Sequence, residues 1–167
     1  MKHDRPIWMA LYAIWGVALA AVLSLLFLLP LGNVRWLVHV GWASFAISAL
    51  LGWAPILVFH RRGGVPKRQS YVHTTQLVTS GPYAIVRHPQ FLAGDFIAVA
   101  VMCITQHWGA IAAGVIAIVT NRLSMRKADR DLVERFGEPY REYMERAPRA
   151  SLLVGLWRWA RRRRRLG

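Results

Sequence analysis

The chain has 167 residues, 55% of them apolar, and its 22 Lys and Arg against 8 Asp and Glu give a formal charge of +14. One domain's worth of sequence this basic would suit a nucleic-acid protein. Here, however, the charge lies in short connectors and at the C-terminus beside long apolar blocks, with no groove-reading motif, so cytoplasmic ends of membrane helices are expected and nucleic acid is not. A single cysteine, Cys103, excludes an internal disulfide and a thiolate cluster, and the six histidines show no ligand-like spacing, so no metal is expected.

Residues 7–31 carry no formal charge and end at Pro30-Leu31-Gly32. About 20 apolar residues span a hydrocarbon core, so this is the first predicted crossing. Ala18-Leu19-Ala20 resembles a signal-peptidase site, but the apolar run continues past it and cleavage is not expected. Residues 36–59 form the second crossing, with Gly41, Ser44, Ser48 and Gly52 recurring on one face that suits close helix packing. A polar connector over 60–82 follows, with Arg61, Arg62, Lys67 and Arg68.

Residues 91–121 are apolar again apart from Asp95 and His107. At about 1.5 Å per residue this stretch is long for one crossing and short for two. The segments on either side of it are both basic and both expected in the cytoplasm, which demands an even number of crossings. The break falls most naturally at Gln106-His107-Trp108-Gly109, giving spans of about 86–106 and 108–123. Beyond Asn121 a charged helix is expected over 122–136 with Gly137 as its C′ residue. Pro139 restarts a shorter helix over 140–146, ended by Pro148. Residues 152–160, with Trp157 and Trp159, suit the membrane interface, and the arginines of 161–165 suit contact with anionic lipid. The expected fold is therefore all-α: one polytopic domain over 1–167, about four transmembrane helices plus short cytoplasmic C-terminal helices, both termini cytoplasmic, in a prokaryotic plasma membrane.

The segment richest in chemistry is Thr79-Ser-Gly-Pro-Tyr-Ala-Ile-Val-Arg-His-Pro-Gln90. Gly81-Pro82 marks a turn, and Pro89 disfavours helix at His88 while suiting the first position of the helix that follows. Arg87 and His88 then sit just before a helix N-terminus. Backbone N–H groups, a guanidinium and an imidazole converge there as a site for a carboxylate or phosphate, or equally as a snorkelling arginine with a capping histidine. Asp95, an acid at membrane depth, is a functional candidate by default, with a purely structural pairing as its rival. Asn121 and Arg122, at the cytoplasmic end of the fourth span, are placed to meet a molecule entering from the bilayer. His73 reads as solvated more readily than as a base, and His107 falls on the far side.

Gly81-x-Tyr83-x-x-Val86-Arg87-His88-Pro89-x-Phe91 resembles the signature of the isoprenylcysteine carboxyl methyltransferase and phospholipid methyltransferase superfamily. Asp129-x-x-Leu132-x-x-x-Phe136-Gly137-x-x-Tyr140-x-x-Tyr143, followed by Pro148, resembles that superfamily's second conserved region. The resemblance covers roughly the C-terminal half of the chain. It implies a small polytopic methyltransferase without a Rossmann fold that uses S-adenosylmethionine. Carried across, Arg87 and His88 meet the methionine part of the cofactor, Gly81 and Tyr83 with Tyr140 and Tyr143 shape its pocket, and Asp129 binds ribose hydroxyls or the α-ammonium. The rival role for Asp129 is an exposed ion pair with Arg126 or Arg130. Two departures stand out: Ala128 occupies the place of a usual acid, and Phe91 that of a frequent tyrosine.

The implied acceptor is lipid-like or apolar. A carboxylate acceptor needs a cationic clamp, for which Arg122 serves, whereas an amine or thiol needs a proton removed, for which Asp95 or His73 serves. Asp95 and Arg122 are thus the candidate catalytic residues. Two rivals remain: a nicotinamide-dependent membrane reductase related through the same C-terminal region, and a membrane scaffold of the same fold without turnover.

Overall fold

The computed structural model describes residues 5–62 and 76–166. Among these there are six α-helices, one 3-10 turn and no strand. In chain order they are α1 (Arg5–Leu28), α2 (Arg35–Arg62), the 3-10 turn (Gly81–Ala84), α3 (Pro89–Thr105), α4 (Trp108–Phe136), α5 (Glu138–Arg146) and α6 (Leu152–Leu166). His73, Lys67 and Arg68 lie outside the described residues.

The punctuation follows backbone chemistry. Pro30 closes the α1 region, since it lacks an N–H and restricts the residue before it. Pro89 opens α3 as expected. The break after Thr105 falls where the sequence put it, and Gln106 makes it: it sits at φ 52°. Its side-chain amide donates to the carbonyls of Val34 (2.9 Å) and Cys103 (3.2 Å), and its carbonyl accepts from Val34 N–H (3.1 Å).

Two boundaries differ from expectation. The charged stretch 122–136 is not a separate helix: α4 runs unbroken for 29 residues, because no proline or glycine interrupts it between Gly114 and Gly137. The shorter helix expected over 140–146 begins at Glu138, with Pro139 inside its first turn. The last helix, Leu152–Leu166, takes in the arginine run, since arginine is a good helix former.

Among the described residues two helices are long and apolar enough to cross a membrane, α2 over Arg35–Val58 and α4; the apolar stretches Ala13–Leu28 and Pro89–Thr105 are shorter. From Arg122 onward α4 turns strongly charged.

The chain divides into two compact units, Met1–Leu50 with Phe91–Ala128 and Leu51–Gln90 with Asp129–Gly167. In the first, Val22, Val101 and Ala110 form a buried cluster supported by Leu25, Leu26 and Leu29. α2 and α3 approach closely through the small-residue face. A Cβ on Gly41 would lie 2.6 Å from Ile104 Cγ1 and 2.8 Å from Ala100 O, and Ser48 Oγ donates to Ala93 O at 2.8 Å.

The second unit is built around Tyr83, Tyr140 and Tyr143 with Val78 and Ala147, backed by Val58, Leu132, Val133 and Phe136. Each such ring removes about 150–250 Å² from water. Gly137, at φ 62° and ψ −134°, ends α4 and lets α5 start at once, a conformation essentially reserved to glycine.

Candidate active site

Asp129 is the hub of the second unit. It lies on α4 beyond the apolar stretch, is only 3% exposed, and its carboxylate meets four donors. His88 Nε2 (2.7 Å) and Tyr140 Oη (2.7 Å) reach Oδ1, while Arg149 Nε (2.6 Å) and Arg87 Nη2 (3.4 Å) reach Oδ2. His88 must therefore carry its proton on Nε2. Burial by itself pushes the Asp129 carboxyl up. The hydrogen bond and charge of His88, with the bonds from Arg149 and Tyr140, outweigh that and hold it well below the usual carboxylate range. Tyr140 is pushed the other way, by burial first and then by its bond to the Asp129 carboxylate, so it stays a protonated donor.

The local chain path explains how these groups meet. Arg87 and His88 precede the first residue of α3, where Pro89 keeps them out of the helix. Their backbone N–H groups donate to Pro148 O (3.0 Å) and Arg149 O (3.2 Å), so the segment after α5 pairs with the segment before α3. Those two amides are thus already committed and do not join the anion site expected there. Tyr143 Oη donates to Tyr83 O at 2.6 Å, tying α5 to the 3-10 turn. Gly81 opens that turn at φ 64°.

Arg87 is the exception to this saturation. The residue is 8% exposed, yet its Nε and Nη1 are buried without a hydrogen-bond partner. Two guanidinium groups, of Arg87 and Arg149, face one carboxylate, so positive charge is in excess even with His88 neutral. Buried donors without acceptors are costly, and two of them on one guanidinium suit an anionic group such as a carboxylate.

A separate polar cluster lies in the first unit. Asp95, 5% exposed, accepts from Asn121 Nδ2 and pairs with Arg122 Nη2 at 2.7 Å. Asn121, fully buried, also donates to Phe91 O at 2.8 Å. Because both amide hydrogens go to acceptors, the orientation of the amide is set, and Asn121 Oδ1 is left without a donor.

Of the residues expected to form the site, Arg87, His88, Tyr83, Asp129, Tyr140 and Tyr143 come together in one unit, and Asp95 pairs with Arg122 in the other. Asp129 has neither Arg126 nor Arg130 as its partner; its partners are Arg87, His88, Arg149 and Tyr140. Sequence reasoning missed Arg149, a loop residue marked only by the proline before it. A hollow of about 310 Å³ beside Tyr143 is lined by Arg146, Arg162 and Arg163 with Trp159. Its cationic walls suit an anion and repel a sulfonium.

The described chain is thus helical, with two helices apolar enough to cross a membrane and a buried arginine–carboxylate cluster at a helix start. The model of the isoprenylcysteine carboxyl methyltransferase family matches residues 66–134, which supports the resemblance to the isoprenylcysteine carboxyl methyltransferase-like superfamily that its motifs carry. The match takes in Arg87, His88, Asp95, Arg122 and Asp129 and ends before Tyr140 and Tyr143. This family implies methyl transfer and association with a membrane. No curated protein and no solved structure matches the chain.

The charge balance at Asp129 carries a pH signature. A carboxylate held below its ordinary value stabilises the fold fully above the unfolded-chain value of about 4, and that contribution is lost as pH falls further. The melting temperature in detergent should therefore show an Asp129-dependent decline below about pH 4. That component should be missing from Asp129→Asn when the two are titrated in parallel.

Proposed function

We propose that the protein transfers a methyl group from S-adenosylmethionine to a lipid-like or apolar acceptor at the cytoplasmic face of a membrane. The observation that carries this reading is the pair of buried, unpartnered donors on Arg87 within a cluster of excess positive charge. They suit the carboxylate of the cofactor's methionine part, and a planar guanidinium meets a carboxylate with two parallel bonds. S-adenosylmethionine, when bound, supplies an activated methyl group on a sulfonium.

The chain's own residues bind, orient and exclude water. Arg87 takes the carboxylate through Nε and Nη1. Asp129, with all its donors in place, fixes Arg87 and His88 and acts on the ligand through them. Tyr83 and Tyr143 wall the site, Tyr140 holds Asp129, and Gly81 permits the turn that presents Tyr83. Aromatic faces favour a cationic sulfonium where the guanidinium groups do not.

Asp95 and Arg122 serve the acceptor. Arg122 pairs with Asp95 through Nη2, and Asn121 Oδ1 calls for a hydrogen-bond donor. The open Oδ1 favours an acceptor that carries N–H over one that presents a carboxylate, with Asp95 receiving the proton that the nitrogen releases. The topology in this reading is four crossings with both termini cytoplasmic, and the outward face of α6, with Leu153, Trp157 and exposed arginines, lies on anionic lipid.

The test is calorimetric titration of S-adenosylmethionine into detergent-purified protein, followed by transfer of a labelled methyl group to lipid amine, thiol and carboxylate acceptors. Micromolar binding with transfer to the amine is expected. A folded, monodisperse sample that binds no S-adenosylmethionine overturns the reading. Binding of a nicotinamide dinucleotide instead would mark a reductase, and no ligand at all a scaffold.

A further inference from the structure

A run of arginines at a C-terminus reads as solvated charge, yet α6 seats two of them inward. Gly155, Arg158, Trp159 and Arg162 recur at i, i+3, i+4 and i+7, which is one helical face. Gly155 sits against the backbone of Ile85: a Cβ there would lie 2.2 Å from Ile85 O and 3.0 Å from Ile85 C. The neighbour is main chain and cannot swing aside. Arg158 Nη1 donates to Glu145 O at 3.0 Å. Arg162 donates through Nη1 to Arg146 O and through Nη2 to Ala84 O at 2.9 Å.

These bonds meet needs that the fold creates. The last carbonyls of α5 have no partner within the helix, and a cation at a helix C-terminus is favourable. Ala84 and Ile85 lie three and two residues before Arg87, and the Arg87 and His88 amides are held on their other side by Pro148 and Arg149. The short segment bearing Arg87 is thus gripped by α6 at one end and by the α5–α6 connection at the other.

We propose that α6 is a strap that fixes the segment 81–88, and that Arg162, seated by Gly155, is a positioning residue for cofactor binding. The inference rests on the methyl-donor reading above. A guanidinium that reaches two carbonyls on different segments sets their separation, and small misplacements of a binding group lower affinity steeply. The charge of Arg162 is incidental to this role; its two-ended reach is what counts.

The experiment compares wild type with Arg162→Gln, Gly155→Ala and the exposed control Arg164→Gln, in detergent free of anionic lipid. Arg162→Gln should weaken S-adenosylmethionine about tenfold by calorimetry and raise KM with kcat held. Amide exchange over 81–88 should also quicken. Gly155→Ala, which keeps every arginine, should do the same by lifting the helix off Ile85. Arg164→Gln, which removes the same charge as Arg162→Gln, should change neither affinity nor exchange, and Arg162→Lys should restore part of the affinity. Wild-type affinity and exchange in a folded Arg162→Gln sample overturn the strap, and so does an equal loss in Arg164→Gln. A wild type that binds no S-adenosylmethionine overturns the methyl-donor reading instead, and exchange over 81–88 then still decides the strap.

Discussion

Arg87→Ala is expected to weaken S-adenosylmethionine binding about thirtyfold or more while leaving the melting temperature within a few degrees of wild type. The two halves of this expectation have one cause. Arg87 brings a buried charge whose Nε and Nη1 have no acceptor and whose link to Asp129 is long at 3.4 Å. Removing it leaves Asp129 with Arg149, His88 and Tyr140, three close donors, so no anion is stranded. The folded chain therefore loses little, since an undersatisfied buried ion is a weak contributor to stability.

Binding is different, because the ligand carboxylate would then enter a buried site with no fork to receive it. Truncating one partner of such a pair costs about 2–5 kcal/mol, which is on the order of thirtyfold to several thousandfold in affinity. Arg87→Lys should recover only part of this, as a single ammonium cannot make two parallel bonds to a carboxylate. Calorimetry alongside thermal denaturation checks both halves. Wild-type affinity in Arg87→Ala would falsify the assignment of Arg87, and a collapse of stability would recast it as a structural ion.

How far the sequence foretold these partners depended on whether the controlling interaction was local. Pro89 sets the start of α3 by its own ring geometry, and the polar Gln106-His107 pair interrupts an apolar run, so both boundaries were legible. Arg87, His88, Tyr83, Asp129, Tyr140 and Tyr143 were legible through motif spacing, and they gather in one unit.

The four donors on Asp129 were not legible as one set, because they arrive from three separate segments and no periodicity links them. On α4 alone, Arg126 and Arg130 looked like the natural partners. Arg149 carried no signal beyond Pro148. α4 was read as two helices because its composition changes at Arg122, yet a change from apolar to charged residues does not end a helix when no Gly or Pro intervenes. The seating face of α6 was present in the sequence as Gly155, Arg158, Trp159 and Arg162. It was masked by the neighbouring arginines, which make the whole run look solvated.

Asp129→Asn should do the reverse of Arg87→Ala, lowering stability first and binding as a consequence. The substitution keeps shape but removes the carboxylate that Arg87, Arg149 and His88 share, leaving the two guanidinium groups without the charge between them. The new amide also presents hydrogens where the carboxylate had only lone pairs. Whichever oxygen is replaced, two of the four donors now at Asp129 then meet another donor, and a half-satisfied polar network is worse than none. Breaking a buried ion pair by neutralising one side costs about 3–5 kcal/mol. In a chain of this size that corresponds to a fall of roughly 10 °C in melting temperature.

Arg149→Leu in the Asp129→Asn background should return part of the loss, since it removes a stranded cation along with its missing partner. The double variant melting above the single one is the expected result, and a double variant no more stable than the single would mean that Arg149 does not depend on Asp129. Set beside Arg87→Ala, the pair separates the two roles proposed for the cluster: Asp129 keeps the segment folded, and Arg87, whose Nε and Nη1 are buried without an acceptor, receives the ligand.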